Sequence, residues 1–441
     1  MLVAQERRSD TRPLFESLVE ARRQSDSLFE IVRPEFLYER PIPERHRIIF
    51  YVGHLEAFDW NLLSQRTFRL QSFHPEFDRL FAFGIDPVGG GLPSDQPSDW
   101  PSIDVVKSYV RETRSALDEK LITVNGSEGD PELAKLLNVA IEHRLMHLET
   151  LAYMLHQLPL DQKILHRDPP VAATSPVVPR GIAIPAGRAT LGLSRSGAEF
   201  GWDNEYEQHT EFVPAFHVDQ YMATNQQYLD FLSDGGYEIR EFWSDADWQW
   251  KTEKNISHPV FWKRSGDQWT YRTMFEEIAL PLDWPVYVSH AEASAFARWA
   301  GKSLPTEAEW HRAAYGTKQG AERHFPWGDD PPATRLGNFD FSRWNPAAVN
   351  AFADGKSAFG VEGMLGNGWE WTSTPFGPFP GFEKFSFYPG YSADFFDGKH
   401  FVIKGGSPRT AACMLRPTFR NWFQSHYQYV YAGFRCVSRE S

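Results

Sequence analysis

From Thr11 to Pro159 apolar residues return at intervals of three and four, and beyond Pro159 that rhythm stops. Four stretches carry it: LFESLVEARRQSDSLFEIV, HRIIFYVGHLEAFDWNLLSQRTF, SIDVVKSYVRETRSALDEKL and PELAKLLNVAIEHRLMHLETLAYMLHQL. Each reads as a long amphipathic helix, because such spacing gathers the apolar side chains on one face. Four such faces are buried most simply in an antiparallel four-helix bundle. The connection Phe73–Pro101 is long and rich in Gly, Pro and Asp. Loops of that length in compact domains usually serve a function.

Between Leu158 and Pro185 the chain has six prolines and no helical periodicity, which fits a linker that cannot continue a helix. The expected organisation is a helical bundle over 1–160, a Pro-rich linker over 161–180 and a second domain over 181–441. The second domain has short β-type or irregular pieces broken by Gly, Pro, Asn and Trp. Within it helices are predicted at His290–Ala300 and Thr306–Tyr315. Ser289 stands at the first N-cap, and Thr306 with Glu309 has the form of a capping box. The fold class is α+β.

The formal charge of -13 repels a phosphate backbone, so general nucleic-acid binding is not expected. Cys413 and Cys436 are the only cysteines. They are too few for a disulfide scaffold or a cysteine-based metal cluster, and their scarcity suits a reducing compartment. The first residues lack the apolar core of a signal peptide, and no run approaches the roughly 18 apolar residues of a membrane span. The expected location is cytoplasmic, with no membrane partner.

His143 and His147 are four residues apart on a predicted helix, so both imidazoles lie on one face about a turn apart. Such a pair either chelates a metal or sits in the core as ordinary histidines. Divalent iron, zinc, nickel and copper all accept imidazole. A third ligand must come from elsewhere, and His54 is the best candidate, flanked by Val52, Leu55 and Phe58 on another bundle helix. Glu149 is either a hydrogen-bond partner behind the ligands or a surface charge. Three histidines without a carboxylate leave coordination positions open, which suits substrate and dioxygen at iron or a hydroxide at zinc.

The second half resembles the formylglycine-generating-enzyme (sulfatase-modifying-factor) fold. The matching stretches are IPAGRATLG at 184–192, FHVDQYMATNQQYLDFL at 216–232, PVYVSHAEASAFARWAGKSLPTEAEWHRAA at 285–314, FPWGDD at 325–330, MLGNGWEWT at 364–372, VIKGGSP at 402–408 and YAGFRCV at 431–437. The resemblance implies a C-type-lectin-like domain. Formylglycine-generating enzymes bind copper through a close cysteine pair, which this chain lacks.

A DinB-like bundle carrying His54 and an HxxxHxE motif (His143, His147, Glu149), followed by this domain, resembles the ergothioneine-type sulfoxide synthases. The resemblance implies that the three histidines hold Fe(2+). It also implies that dioxygen drives attachment of a chalcogen donor to imidazole C2 of hercynine, Nα-trimethylhistidine. Asn421 and Trp422 match the pair that holds the betaine. An indole face attracts a quaternary ammonium. Arg416 and Arg420 read as fold salt bridges.

Three departures bear on the donor. Met146 stands where the family commonly has a hercynine-contacting Gln. The loop that in the family clamps a thiol donor with arginines reads FDRLFAFGIDPVGGGLPSDQPSDWP, with no Arg after Arg79 and with Asp86, Asp95 and Asp99. Phe423 stands where some members have a donor-binding Asp. A carboxylate donor loses its charge-assisted hydrogen bonds in such a loop, whereas a neutral polyol does not. Phe81, Phe83, Asp95, Asp99, Trp100 and Phe423 are therefore the expected donor-binding residues. The expectation favours the selenoneine synthase branch, with a selenosugar donor, over a sulfur enzyme that takes cysteine or γ-glutamylcysteine. The family's acid near the iron has no assigned counterpart: Phe376 is the residue read at its position, with Tyr388 and Tyr391 as candidate substitutes.

Overall fold

The computed structural model describes residues 12–85, 92–124, 130–168, 176–197 and 199–439. The chain forms two compact units, Met1–His166 and Arg167–Ser441. No helix among the described residues is long and apolar enough to cross a membrane.

The first unit contains α1 (Arg12–Phe29), α2 (Ile48–Leu63), α3 (Pro75–Phe83), α4 (Ile103–Val124) and α5 (Pro131–His156). α2 and α5 are buried around most of their circumference, whereas α4 buries one stripe. The first two therefore act as the inner helices, against which α1 and α4 pack. α5 begins where Asp130 accepts the N–H of Glu132, with Pro131 in the first turn. The short α3 lies within the predicted long connection and packs on α2. It does so at Gly53, where a Cβ would stand 2.4–2.6 Å from the Phe81 ring.

Charges are buried between these helices. Arg144 of α5 is fully buried and donates to Asp59 at 2.6 Å, to the Leu55 carbonyl at 3.0 Å and to Ser25 Oγ at 3.1 Å. It also lies 2.9 Å from Glu56. Arg114 of α4 bridges Glu56 and Asp26, each at 2.7 Å, and Arg22 of α1 reaches Asp118 at 2.5 Å. Burial alone would raise the Glu56 carboxyl. Arg144, Arg114 and Arg22 outweigh it and hold that group down to about 2.

In the second unit β1 (Gly181–Ile184), β4 (Phe216–Asp219) and β12 (Val437–Ser438) form one sheet, in the order β1-β4-β12. β2 (Gly187–Leu191) pairs with β3 (His209–Val213), and β5 (Trp262–Ser265), β6 (Gln268–Arg272) and β7 (Glu277–Ala279) form a meander. The central sheet has β8 (Gly368–Pro375), β9 (His400–Gly406), β10 (Asn421–Gln424) and β11 (Ala432–Gly433) in the order β10-β9-β8-β11. Four short helices flank these sheets: α6 (Asn225–Ser233), α7 (Asp245–Glu253), α8 (His290–Trp299) and α9 (Glu307–Tyr315). Capping boxes start α6, α8 and α9. α6 and α7 are additions to the two helices read from the sequence.

Arg435 and Glu370 form a bidentate pair with both side chains fully buried. Arg416 pairs with Glu205 and Arg420 with Glu307, so both arginines hold the fold together. β10 runs antiparallel to β9, with Trp422 opposite Val402 and Phe423 opposite Phe401. That register puts Trp422 and Phe423 on opposite faces of the strand.

Two stability outcomes follow. Arg144→Met strands Glu56 and Asp59 without their main cation and should cost about 3–5 kcal/mol; an unchanged urea midpoint would contradict the network's role. Gly53→Ala forces the Phe81 ring off α2, an overpacking cost of about 1–3 kcal/mol against at most ~1 kcal/mol returned in helix propensity. A higher urea midpoint for this variant would show that the ring is not held there.

Candidate metal centre

His54 projects from α2, and His143 and His147 project from α5. Their ring centroids are 4.5 Å (143–147), 4.8 Å (54–147) and 5.4 Å (54–143) apart. One ligand atom from each lies within 4.8 Å of the others, the one such His, Cys, Asp or Glu cluster found among the described residues. The helical pair comes from the four-residue spacing. The third ligand comes from the α2–α5 register that Arg144 fixes.

His54 Nδ1 is 2.7 Å from the Phe81 carbonyl. A carbonyl only accepts, so Nδ1 carries the proton and Nε2 presents a lone pair. That Nε2 is 3.2 Å from His147 Nε2. Two nitrogens each about 2.1 Å from one ion stand about 3.0–3.4 Å apart, so this separation fits a shared metal. His147 Nδ1 is buried with no hydrogen-bond partner in the structure, so no second group fixes its tautomer as the Phe81 carbonyl fixes that of His54.

Burial is the largest influence on all three rings. It lowers His54 to about 4 and takes His143 and His147 well below the ordinary histidine value, with neighbouring charges adding to the effect. Neutral imidazole is the form that ligates a metal. Phe58 stacks on His143 at 3.4 Å and 10°, and Phe50 on His54 at 4.8 Å and 27°, which restricts both rings. His143 is buried, while His54 and His147 are partly exposed, so access is from their side. The donor set fits a divalent transition metal with open positions.

Met146 is half-buried and lies one turn from His143. Glu149 is buried. Two residues beyond His147, it stands on a different face of α5 from that ligand.

The expected donor set is divided. Phe81 is buried against Gly53, where its carbonyl orients His54. Asp95 is fully engaged: one oxygen accepts from Arg40, and the other accepts from Arg47 Nε at 2.8 Å and Trp100 Nε1 at 2.7 Å. Burial favours the protonated Asp95, but these partners win and lower its carboxyl. Asp95 and the buried Trp100 thus anchor the loop. Asp99 accepts the Gln96 N–H at 2.7 Å and closes a short turn. Phe83 is 71% exposed. Asp86 lies outside the described residues. Arg40 and Arg47 reach this loop from earlier in the chain, so it is less anionic than its own sequence suggests.

In the second unit Trp422 stacks on Phe376 at 4.1 Å and 6°. Tyr391 meets it edge-on at 5.4 Å, and Phe395 is tilted at 5.6 Å. Asn421 Oδ1 accepts the Trp422 N–H at 2.8 Å, which orients the amide. Tyr391 also stacks on Trp202 at 4.0 Å. Burial, followed by the charge of Asp203, raises the Tyr388 hydroxyl to about 12. Phe423 lies across the strand from this aromatic group and stacks on Tyr427 at 5.2 Å.

Residues 168–440 match the family described as the sulfatase-modifying factor enzyme 1-like domain. Over 402 residues the chain is 34% identical to a hercynine oxygenase of Mycolicibacterium smegmatis, covering 87% of this chain and 88% of that protein. It is 40% identical over 248 residues to a hercynine oxygenase of Mycobacterium tuberculosis, covering 56% of this chain and 57% of that protein. To ergothioneine biosynthesis protein 1 of Neurospora crassa it is 28% identical over 497 residues, covering 92% of this chain and 55% of that protein. A likeness over 87% of the chain is longer than the second unit alone and must run into the helical one. With one family model spanning the second unit and this relative spanning nearly the whole of both proteins, the chain belongs to the ergothioneine-type sulfoxide synthase family.

Proposed function

We propose that this protein is a mononuclear non-haem iron(II) enzyme that uses dioxygen to form a carbon–selenium bond at imidazole C2 of hercynine, with a selenosugar as donor. The observation that carries the metal reading is the convergence of two Nε2 atoms at 3.2 Å, one with its tautomer fixed by a carbonyl. The names of the relatives support hercynine as the substrate.

His54, His143 and His147 hold the iron, and the Phe81 carbonyl keeps the His54 lone pair turned toward it. Iron(II), when bound, supplies the one-electron steps that let dioxygen act as the oxidant. Trp422, Phe376 and Tyr391 offer π faces to the trimethylammonium group, and the Asn421 amide orients the carboxylate. Met146 gives hercynine an apolar contact. Tyr388 and Tyr391, whose rings lie 5.5 Å apart, are the candidates for the catalytic acid. The balance closes when the C2–H and Se–H bonds are replaced by C–Se, one oxygen atom oxidises the selenium and the other leaves as water.

The donor reading rests on charge. Arg40 and Arg47 are both bonded to Asp95, so neither is free to clamp a donor carboxylate. The sulfur alternative, with cysteine or γ-glutamylcysteine, draws on the names of the relatives, which belong to ergothioneine biosynthesis.

Protein purified without oxygen and loaded with iron should bind one ion per chain and take up oxygen only when hercynine is present. His143→Ala should lose the metal and at least about a hundredfold in turnover; full activity in that variant would end the proposal. Trp422→Ala should raise the hercynine KM about tenfold, the effect of losing a desolvated cation–π contact, with the metal content unchanged. Hercynine offered in parallel with cysteine, γ-glutamylcysteine and a selenosugar should give a selenium product by mass. A sulfoxide from either thiol, with nothing from the selenosugar, would reverse the choice of donor.

A further inference from the structure

Asp203 is fully buried in the short helical turn Asp203–Glu205, and it forms no ion pair with an arginine, lysine or histidine among the described residues. Its Oδ1 accepts from Ser392 Oγ at 2.6 Å and its Oδ2 from the Phe385 N–H at 3.4 Å. Nearby buried carboxylates are held differently: Glu205 pairs with Arg416, and Glu307 with Arg420. Glu292, also buried without an arginine, sits in the first turn of α8, where Tyr237, the Ser289 hydroxyl and the Ser289 N–H donate to it. A helix N-terminus adds positive potential there. Asp203 has no such support. Burial raises its carboxyl, the Glu205 charge adds to the effect, and the bonds from Ser392 and Phe385 offset it only in part. A buried carboxylate without a cation is costly to keep, so stability alone does not explain it.

Its surroundings are aromatic. Trp202, just before it in the chain, stacks on Tyr391 at 4.0 Å and 24° and meets Tyr388 edge-on at 6.5 Å. Ser392, which donates to Asp203, directly follows Tyr391. Tyr391 in turn meets Trp422 edge-on at 5.4 Å, and the Asp203 charge is felt at the Tyr388 hydroxyl. One hydrogen bond and one ring stack thus join the carboxylate to the aromatic group around Trp422. Arg420 stands 5.1 Å over Phe376 on the far side of that group, but Glu307 neutralises it. A quaternary ammonium has no N–H to donate. It is held by π faces and by negative charge acting through a medium of low dielectric constant. The rings around Trp422 supply the first, and Asp203 supplies the second.

We propose that Asp203 is the counter-charge for the trimethylammonium group of hercynine and selects a cationic substrate over an uncharged one of the same shape. This rests on the reading of hercynine as the substrate. Asp203 acts through the rings and at a distance from the reacting atoms, so it determines specificity and is not a catalytic residue. Its bonds to Ser392 and Phe385 also brace the segment that carries Tyr388 and Tyr391, and charge and brace are separable by experiment.

The test measures binding to the full-length, iron-loaded enzyme by calorimetry without oxygen. The two ligands are hercynine and 2-tert-butyl-3-(imidazol-4-yl)propanoate, in which carbon replaces the charged nitrogen. Asp203→Asn keeps the shape and an oxygen acceptor for Ser392 but removes the charge. It should weaken hercynine binding about tenfold, the effect of a unit charge over ~10 Å at an effective dielectric constant of about 20. The uncharged analogue should bind as before or more tightly. Unchanged hercynine binding overturns the proposal, as does an equal loss for both ligands, which marks a brace alone. Should that variant not fold, Trp422→Ala decides. It should still prefer hercynine over the analogue about tenfold, because the counter-charge remains, and a preference that vanishes with the indole overturns the proposal. If the native enzyme shows the charge preference but consumes no oxygen with hercynine, the reading of the reaction fails while the role of Asp203 stands. A native enzyme that binds no hercynine overturns both.

Discussion

The first unit depends on a charge it cannot expose. Arg144 lies beside His143 on α5 and is fully buried, so its partners must come from other helices. They come from α2 through Glu56, Asp59 and the Leu55 carbonyl, and from α1 through Ser25. A guanidinium with several fixed acceptors tolerates little sliding, since a shift of one residue would leave a carboxylate unpaired in the interior. Apolar packing alone would permit nearby registers at little cost. The ionic contacts select one register, the one in which His54 faces His143 and His147.

The second requirement of a His54–His143–His147 metal centre is that the three imidazoles be neutral and correctly turned. Burial keeps the three rings uncharged, stacking by Phe50 and Phe58 limits the rotation of His54 and His143, and the Phe81 carbonyl chooses the tautomer of His54. That carbonyl is in place because α3 approaches α2 at Gly53, where no side chain intervenes. A backbone oxygen is a dependable orienter: it has no protonation state and cannot change rotamer.

Much of this was legible in the sequence, and the exceptions have physical causes. His143 and His147 were readable because helical spacing alone makes them neighbours, and His54 because its flanks are apolar. The network around Arg144 was not, since Asp59 is 85 residues away and charged residues on amphipathic helices read as surface. The ion pair of Asp95 was not legible either, since its partner Arg47 precedes it by 48 residues and lies outside the loop. In the second unit α6 and α7 were not read, although α9 is also nine residues long; α9 was legible through its capping box, a signal that Thr224 and Gln227 also offer for α6 and that α7 lacks. Of the aromatic group around Trp422, the sequence reading named Phe376 and Tyr391 only in connection with the acid near the iron and did not name Phe395, because that segment has no regular spacing to show which rings meet.

The Asp95 anchor also makes the protein its own competitor. Arg40 and Arg47 form the kind of cationic pair that would attract an anionic small molecule, and a tethered carboxylate already occupies it. A linked competitor acts at an effective concentration in the millimolar range or above and is never diluted away. An acidic guest would have to displace it and then leave that carboxylate buried with only the Trp100 N–H as a partner, whereas an uncharged guest faces no such contest.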